Sequence, residues 1–347
     1  MHEQPNIRIQ RSIGFGLAAT LLFLTIRAEI RAAPASAPKR IMVEVRDHAQ
    51  LHCLDWGGAK QPLLLLTGLG DTAYIYSELA PRLTGKFHVF ALTRRGYGES
   101  DVTKEGYGIS DRVADLREVL DKLHIDDVVL VGHSAAGDEM TAFALQYPQR
   151  IKALVYLDAA YDRADPETPQ PHMDAWRKLA SHLYGGITED DSYRSLVERR
   201  KALTNLFRSE YNVEWGLALE NNLIEVSAIN VDGTVSNRTP GFVSAAIREG
   251  AKAAKLHVAD VRVPALLIFA RGPLADSVLP TELRESIRRD EHEYAAYMQR
   301  YEARIREANS ALRIITLDSV RHYFFLADPE QTATWIRDCL RRNLTRP

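Results

Sequence analysis

The hydrophobic residues of this chain fall into short continuous runs that alternate with amphipathic stretches. Apolar runs that stop at glycine, such as "PLLLLTG", "HVFALTRRG" and "VVLVG", are typical of strands buried on both faces. Between them, "SDRVADLREVLDKLHI" places its apolar residues at helical spacing, and Ser110 is the candidate N-cap. Because parallel strands need a long crossover connection, this alternation predicts parallel strands joined by helices.

The same pattern runs along most of the chain. Two short alternating segments, Ile41–Arg46 and Leu51–Trp56, predict an opening hairpin, and "PALLIFA" and "LRIITLD" predict two late strands before a closing helix. We therefore predict an α/β fold with an about eight-stranded, mostly parallel sheet and helices on both faces.

The alternation breaks between residues 161 and 259. This section contains aromatic residues such as Trp215 and charged helical stretches such as "SLVERRKALTNLF", with few strand signals. Strands resume after it, so a separate sequential domain is disfavoured. We predict a helical cap inserted at 161–259 into a core made of residues 39–160 and 260–347.

The N-terminus has the pattern of an export signal. Arg8 and Arg11 precede the apolar run Ile13–Ile26, and small residues including Ala33-Pro34-Ala35 follow. The run is shorter than the roughly 20 residues of a comfortable membrane span. Residues 1–38 are therefore predicted to direct the protein out of the cytoplasm, to the periplasm or the medium. An uncleaved membrane anchor is the alternative, and no membrane contact is expected of the rest of the chain.

The composition and charge of the chain exclude some classes of binding partner and cofactor. The 347 residues carry a formal net charge of −2, and no basic run is interleaved with aromatics, which argues against a nucleic-acid partner. Cys53 and Cys339 are too few for a disulfide framework; two reduced thiols are expected, and a single disulfide is the alternative. The chain has no phosphate-binding loop and no metal-binding H-E-x-x-H motif, so no cofactor or metal is predicted. Nothing in the sequence indicates the oligomeric state.

One serine stands where a reactive group would be presented. Ser134 follows the predicted strand "VVLVGH" and precedes the predicted helix "AGDEMTAFAL". Ligands of parallel α/β sheets bind outside the carboxyl ends of the strands. A sharp strand-to-helix turn needs small residues on either side, and Gly132 and Ala136 meet that need. The following helix also directs its unpaired N–H groups toward the hydroxyl.

These residues carry a family resemblance. "GHSAAG" resembles the G-x-S-x-G nucleophile elbow of the α/β-hydrolase superfamily. "LLTGLGD" is similar to its oxyanion-hole loop, "TRRGYGES" to its D-x-R-G-x-G-x-S segment and "RHYFFLADPEQ" to its histidine-bearing terminal region. Three positions depart from the pattern: Ala136 replaces a glycine, Thr67 a frequent histidine and Thr93 an aspartate. The last two put the substrate class in doubt more than catalysis.

The resemblance implies a catalytic triad. Ser134 would be the nucleophile and His322 the general base, in the family's chain order. Asp276, after the strand "ALLIF", matches the usual place of the acid, and Asp158, after the preceding strand "ALVYL", is the alternative. His133 is the rival histidine, but as the neighbour of Ser134 it is expected to shape the substrate pocket.

The resemblance also implies an oxyanion hole and a function. The backbone N–H groups of Ala135 and Leu69 would stabilise the oxyanion, with Gly68 at the pocket. The expected activity is hydrolysis of an ester or related acyl bond of a small molecule through an acyl-enzyme. Dehalogenases and epoxide hydrolases of the superfamily carry Asp at the elbow, so Ser134 argues against both. A cofactor-free perhydrolase or haloperoxidase activity and a non-catalytic ligand-binding protein are the alternatives.

Overall fold

The structure is a computed structural model. It describes residues 37–343 except 170, 172–173, 176–177 and 180–191. The predicted export signal therefore lies outside the described residues, apart from its last two positions. Within the described ranges, none of the helices combines the length and the apolar character needed to cross a membrane.

Eight strands form one sheet in the order β1-β2-β4-β3-β5-β6-β9-β10. The strands β1 and β2 and the strands β2 and β4 pair antiparallel, and all other neighbours pair parallel. This arrangement confirms the predicted mostly parallel sheet. The strands are β1 Lys39–Glu44, β2 Gln50–Gly58, β3 Gln61–Leu66, β4 Phe87–Leu92, β5 Val128–His133, β6 Ile151–Leu157, β9 Ala265–Ala270 and β10 Arg313–Leu317.

Helices cover both faces of this sheet, because alternate residues of each strand point to opposite sides. Leu64 and Leu66 of β3 belong to one core cluster, and Leu63 and Leu65 belong to another. The first cluster includes residues of α2, α3 and α7, and the second includes residues of α1, α4, α5 and α9. The helices are α1 Ala80–Leu83, α2 Ile109–Lys122, α3 Ala136–Gln146, α4 Leu196–Tyr211, α5 Leu217–Val226, α6 Gly241–Ala253, α7 Thr281–Ala308, α8 Phe324–Ala327 and α9 Pro329–Asn343.

The start of α2 differs from the expectation. Gly108 is the N-cap, and Ser110 lies inside the first turn. The Asp111 carboxylate accepts a hydrogen bond of 3.1 Å from the Gly108 N–H, so an acidic residue at the third position satisfies this helix end. The prediction of Ser110 as N-cap was therefore wrong by two residues.

The section between β6 and β9 contains α4, α5, α6 and a small antiparallel hairpin formed by β7 (Ser227–Ile229) and β8 (Val235–Asn237). Buried polar contacts fix α5 to the core. The side-chain oxygen of Asn222 accepts from the main-chain N–H of Thr72 at 2.8 Å, and Glu225 bonds His52 of β2 at 2.7 Å. That residues 161–259 form a cap remains a prediction.

The two cysteines lie in different parts of the core. Cys53 belongs to the cluster on one face of the sheet and Cys339 to the cluster on the other, and both side chains are buried. The structure therefore joins them by no disulfide, in line with the expectation of two reduced thiols.

Candidate active site

Ser134 occupies a strained turn between β5 and α3. Its φ angle is +54°, a left-handed conformation that non-glycine residues rarely adopt. The preceding strand ends at His133 and the helix begins at Ala136, so only two residues make the reversal. Ser134 itself lines a cavity. The turn thus presents the hydroxyl at the carboxyl end of a central strand.

Small residues make this turn sterically feasible. A Cβ atom at Gly132 would lie 2.2 Å from the sulfur of Met140 and 2.8 Å from the Cβ of Ala136. A Cβ atom at Gly137 would lie 1.7 Å from the main-chain oxygen of Ala159. The tightest position after the serine is therefore Gly137, while Ala136 is accommodated against Gly132. This packing explains why alanine can stand at the position where the family motif has glycine.

His322 lies in the loop between β10 and α8, and its imidazole bonds a carboxylate. Its Nδ1 is 2.6 Å from Oδ2 of Asp158, which immediately follows β6. A carboxylate only accepts hydrogen bonds, so Nδ1 carries the hydrogen and Nε2 presents its lone pair. Both residues line the cavity to which Ser134 belongs.

The other oxygen of Asp158 is held as firmly. Oδ1 accepts a 2.9 Å hydrogen bond from the main-chain N–H of Ala270 and another from the hydroxyl of Tyr161. The side chain of Asp158 is 6% exposed, and its φ angle is +49°. These contacts fix the carboxylate and, through it, the orientation of the His322 ring.

Asp276 does not reach His322. Its side chain is 74% exposed and forms an ion pair of 2.5 Å with Arg288 of α7. The Arg288 hydrogen bond lowers the pKa of the Asp276 carboxyl. The preference for Asp276 over Asp158 was therefore wrong on the geometry. Asp276, after β9, pairs with α7, whereas Asp158, at the end of the neighbouring strand β6, bonds His322.

The loop after β3 packs against Ser134. A Cβ atom at Gly68 would lie 3.3 Å from the Cβ of Ser134. Arg94 donates hydrogen bonds to the carbonyl oxygens of Thr67 at 2.8 Å and of Gly68 at 3.2 Å. In a trans peptide the N–H points opposite to the C=O, so the N–H of Leu69 points away from Arg94. Arg94 thus fixes the orientation of the expected oxyanion donor.

Arg94 is itself paired inside the protein. It forms a bidentate contact with Glu139 of α3, at 2.9 and 3.3 Å. Arg112 of α2 lies 3.4 Å from the same carboxylate. All three side chains are at least 90% buried. This network joins the loop after β3 to the helix that follows Ser134.

His133 lies behind the site and does not line the cavity. Its side chain is fully buried, its ring centroid is 4.3 Å from that of His322, and it also packs on Tyr323 and Phe325. Burial lowers the pKa of His133 well below its ordinary value. His133 and Gly68 are both buried and do not line this cavity, so their place at the substrate pocket stays a prediction.

The cavity has a volume of about 860 Å³, enough for a small or medium-sized organic molecule. Most of its described lining comes from three segments. These segments are the stretch after β6 with Tyr161 and Arg163, the loop 270–273, and the side of α7 that includes Tyr294. Polar groups also reach it, including Arg288 and Arg321. The cavity therefore combines an apolar lining with several charged side chains.

Two features of the site were missed from the sequence. The charged stretch of α7 lines the cavity with residues 288 and 290–295, although its composition indicated a solvated surface. Asp71, directly after the glycines of the loop, is 3% exposed. The Tyr323 hydroxyl donates to its Oδ2 at 3.0 Å, and the Asn222 amide donates to its Oδ1 at 3.3 Å. The sequence signal for Asp71 was its position as the one acidic residue at the end of the apolar, glycine-containing segment "PLLLLTGLGD".

One group of potential metal ligands lies together in the part of the chain that the structure describes. His52, Glu99 and Glu225 offer ligand atoms within 4.8 Å of one another. Glu99 is paired with Arg40, and His52 with Glu225. The Glu99–Arg40 ion pair joins the loop after β4 to β1, and the hydrogen bond between His52 and Glu225 joins β2 to α5, so we assign this group a structural role.

Comparison with known proteins places the chain among known folds. Residues 61–256, more than half of the chain, match the family model described as alpha/beta hydrolase fold. Epoxide hydrolase 4 from Mus musculus is 27% identical over 172 residues, which cover 48% of each chain. The 2-hydroxy-6-oxononadienedioate/2-hydroxy-6-oxononatrienedioate hydrolase of Klebsiella pneumoniae is 30% identical over 163 residues, 46% of this chain and 53% of that protein.

The chain spans about half the length of these two curated relatives, 48% and 53%. Solved structures align over a larger part. E-2-(acetamidomethylene)succinate hydrolase superposes with a TM-score of 0.62 at 18% identity, covering 88% of this chain and 99% of that one. The enol-lactonase from Burkholderia xenovorans LB400 superposes with a TM-score of 0.56 at 18% identity, covering 87% and 100%. At this identity the superpositions show a shared fold.

Proposed function

Because this chain belongs to the alpha/beta hydrolase fold family, we propose that it is a serine hydrolase that cleaves an ester or related acyl bond of a small molecule. The observation that supports this most is the 2.6 Å hydrogen bond between His322 and Asp158, beside a cavity that Ser134 also lines. The side chains that we propose as nucleophile, base and orienting group thus line the same cavity.

The proposed reaction follows from the roles of these three side chains. The Ser134 oxygen attacks the acyl carbon while Nε2 of His322 takes its proton, and Asp158 stabilises the imidazolium that forms. The tetrahedral intermediate then collapses: the bond to the leaving group breaks, and His322 returns the proton to that group. Water attacks the acyl-enzyme by the same proton transfers, which releases the acid and restores Ser134.

The negative charge on the acyl oxygen needs preorganised donors. We assign this role to the N–H groups of Ala135, at the start of α3, and of Leu69, whose peptide plane is fixed through Arg94. The volume of the cavity and the aromatic Tyr161 and Tyr294 in its wall favour a small or medium-sized acyl substrate. Export to the periplasm or the medium is part of the proposal and rests on the N-terminal pattern alone.

A fluorophosphonate probe tests this proposal, because it reacts covalently with activated serines. We expect labelling of the full chain at Ser134, located by peptide mass spectrometry, with loss of labelling in Ser134→Ala and strong slowing in His322→Gln. Ser310→Ala is the matched control, since Ser310 is exposed at the end of α7 and should change nothing. Absence of labelling in the folded wild-type chain would favour the non-catalytic ligand-binding alternative.

Turnover then defines the substrate class. We expect hydrolysis of p-nitrophenyl esters of graded chain length, with rates that fall when the acyl chain exceeds the cavity. Lactones and aminoacyl amides in the same panel would show whether the enzyme cleaves linear esters, cyclic esters or amides. A labelled Ser134 without turnover of any ester would limit the proposal to acyl transfer onto the serine.

A further inference from the structure

His133 and Asp71 form a buried pair behind the residues assigned to catalysis. Nε2 of His133 is 3.1 Å from the main-chain oxygen of His322, so it donates a hydrogen bond there. Nδ1 of the same ring is buried and has no hydrogen-bond partner among the described residues. Oδ2 of Asp71 lies 3.8 Å from Nδ1. Such an unpaired buried nitrogen is costly and calls for a donor or an acceptor.

Counting hydrogens limits how this pair can be satisfied. A neutral imidazole has one N–H, but His133 faces two acceptors, the carbonyl of His322 and the carboxyl of Asp71. A neutral imidazole and an ionised carboxylate together hold one hydrogen, which can serve only one of these two contacts. Both contacts can form only if the pair of Asp71 and His133 binds one additional proton. A carboxylic acid at Asp71 would donate to Nδ1 once the 3.8 Å separation shortens by about 1 Å.

We propose that Asp71 and His133 share a proton and act as positioning residues for His322. With the proton present, Asp71 donates to Nδ1 and the Nε2–H holds the His322 carbonyl. When the proton leaves, the imidazole hydrogen moves to Nδ1 and points at the carboxylate, and the His322 carbonyl faces a lone pair. The main chain that carries the catalytic imidazole then loses a support. The sharing of the proton is independent of the proposed function, whereas its effect on activity rests on His322 being the catalytic base.

The surroundings of Asp71 set the pH at which this change occurs. Burial raises the pKa of its carboxyl to about 7, although the hydrogen bond from Tyr323, the charge of His322, the Asn222 amide and Arg94 each lower it. The proton is therefore lost as the pH rises through about 7. The ionisable groups that face the carboxyl from the neighbouring elements are His133, His322, Arg94, Tyr76, Tyr211 and Tyr323.

Histidine NMR on the intact chain tests the sharing directly. With ¹⁵N-labelled histidine, we expect His133 to be protonated at Nε2 below pH 6 and to move toward the Nδ1–H form with a midpoint near pH 7. Tyr323→Phe removes a hydrogen bond that favours the Asp71 anion, so it should move this midpoint to higher pH. A ring that keeps its Nε2–H form up to pH 9 in both proteins would overturn the proposal.

Asp71→Asn supplies the functional test, because its amide donates at every pH as the protonated acid does. We expect the ratio of its fluorophosphonate labelling rate to the wild-type rate to rise about fivefold between pH 6 and 8.5, as one supporting hydrogen bond is lost in the wild type. If the labelling rates of Asp71→Asn and wild type depend on pH in the same way, the positioning role is refuted and the proposed serine hydrolase function stands. If no protein is labelled at any pH, the proposed function fails, and the tautomer measurement still decides the sharing.

Discussion

Arg94 is the side chain that connects the loop after β3 to the helix after Ser134. Its guanidinium donates to two carbonyl oxygens of the loop and pairs with Glu139, all in the interior. Arg94→Met keeps most of the side-chain length but removes all four contacts. Loss of one partner of a buried ion pair costs about 3–5 kcal/mol of unfolding free energy. Because Arg112 lies 3.4 Å from Glu139 and retains some pairing, we expect a loss of about 3 kcal/mol.

Urea unfolding followed by circular dichroism measures this loss. The matched control is Arg82→Met, because Arg82 is 39% exposed and pairs with Glu330 at the surface; its loss should be under about 1 kcal/mol. In a double-mutant cycle, Arg94→Met combined with Glu139→Gln should cost less than the sum of the single changes. A loss below about 1 kcal/mol in Arg94→Met, with additive behaviour in the cycle, would refute the view that this pair holds the loop.

Three further predictions concern packing and ionisation. Gly137→Ala should cost several kcal/mol in the same unfolding assay, because its Cβ would overlap a main-chain oxygen, whereas Gly85→Ala, with open space around it, should be nearly neutral; equal costs would contradict the packing. Cys53 and Cys339 should resist Ellman's reagent in the folded chain and both react after guanidinium, since both are buried and burial raises the pKa of Cys53 to about 12; rapid reaction of the folded chain would be inconsistent with this. The pKa of Asp71 is about 7 in the folded chain against an ordinary 3.8, so its stabilising contribution is full below about pH 4 and is lost as the pH rises through 7. Over that range we expect wild type to lose on the order of 4 kcal/mol more stability than Asp71→Asn in urea titrations; parallel curves would show that Asp71 does not titrate there.

The sheet and the elbow could be predicted from the sequence because their signals are local. A strand whose residues are all apolar, such as Val128–Val131, is expected to be buried on both faces of the sheet. The small residues around Ser134 indicate that the turn has no room for larger side chains. His322 was predicted because the resemblance places the family's histidine after the last strand, and the structure brings it to the same cavity as Ser134. The predictions of the sheet and the elbow needed no knowledge of how distant loops fold, and the resemblance supplied that knowledge for His322.

The identity of the acid and the residues that line the cavity could not be predicted without knowing how distant loops fold. Asp158 and Asp276 both follow a strand, and only the path of each loop decides which carboxylate meets His322. The side of α7 that lines the cavity is rich in charge, and some of these side chains pair with one another along the helix, as Arg288 does with Glu291 at 2.5 Å. A hydrophobic pattern cannot distinguish such a wall from a solvated helix face.

The contribution of Asp71 was hidden for a related reason. Its carboxyl meets His133 and Tyr323 from segments 62 and 252 positions away in the chain, and no local pattern reports such a meeting. The family resemblance did not help either, because it concerns the residues that touch substrate. Burial of an unpaired ring nitrogen became visible only with the side chains in place.

The identity of the acid gives the most direct test of the triad. Turnover of a p-nitrophenyl ester should be compared in Asp158→Asn and Asp276→Asn, two aspartates of the same chain of which only the first bonds His322. We expect Asp158→Asn to lower kcat on the order of 10³- to 10⁴-fold by disturbing the histidine tautomer, and Asp276→Asn to stay within about twofold of wild type. Near-normal turnover in Asp158→Asn together with collapse in Asp276→Asn would contradict the assignment.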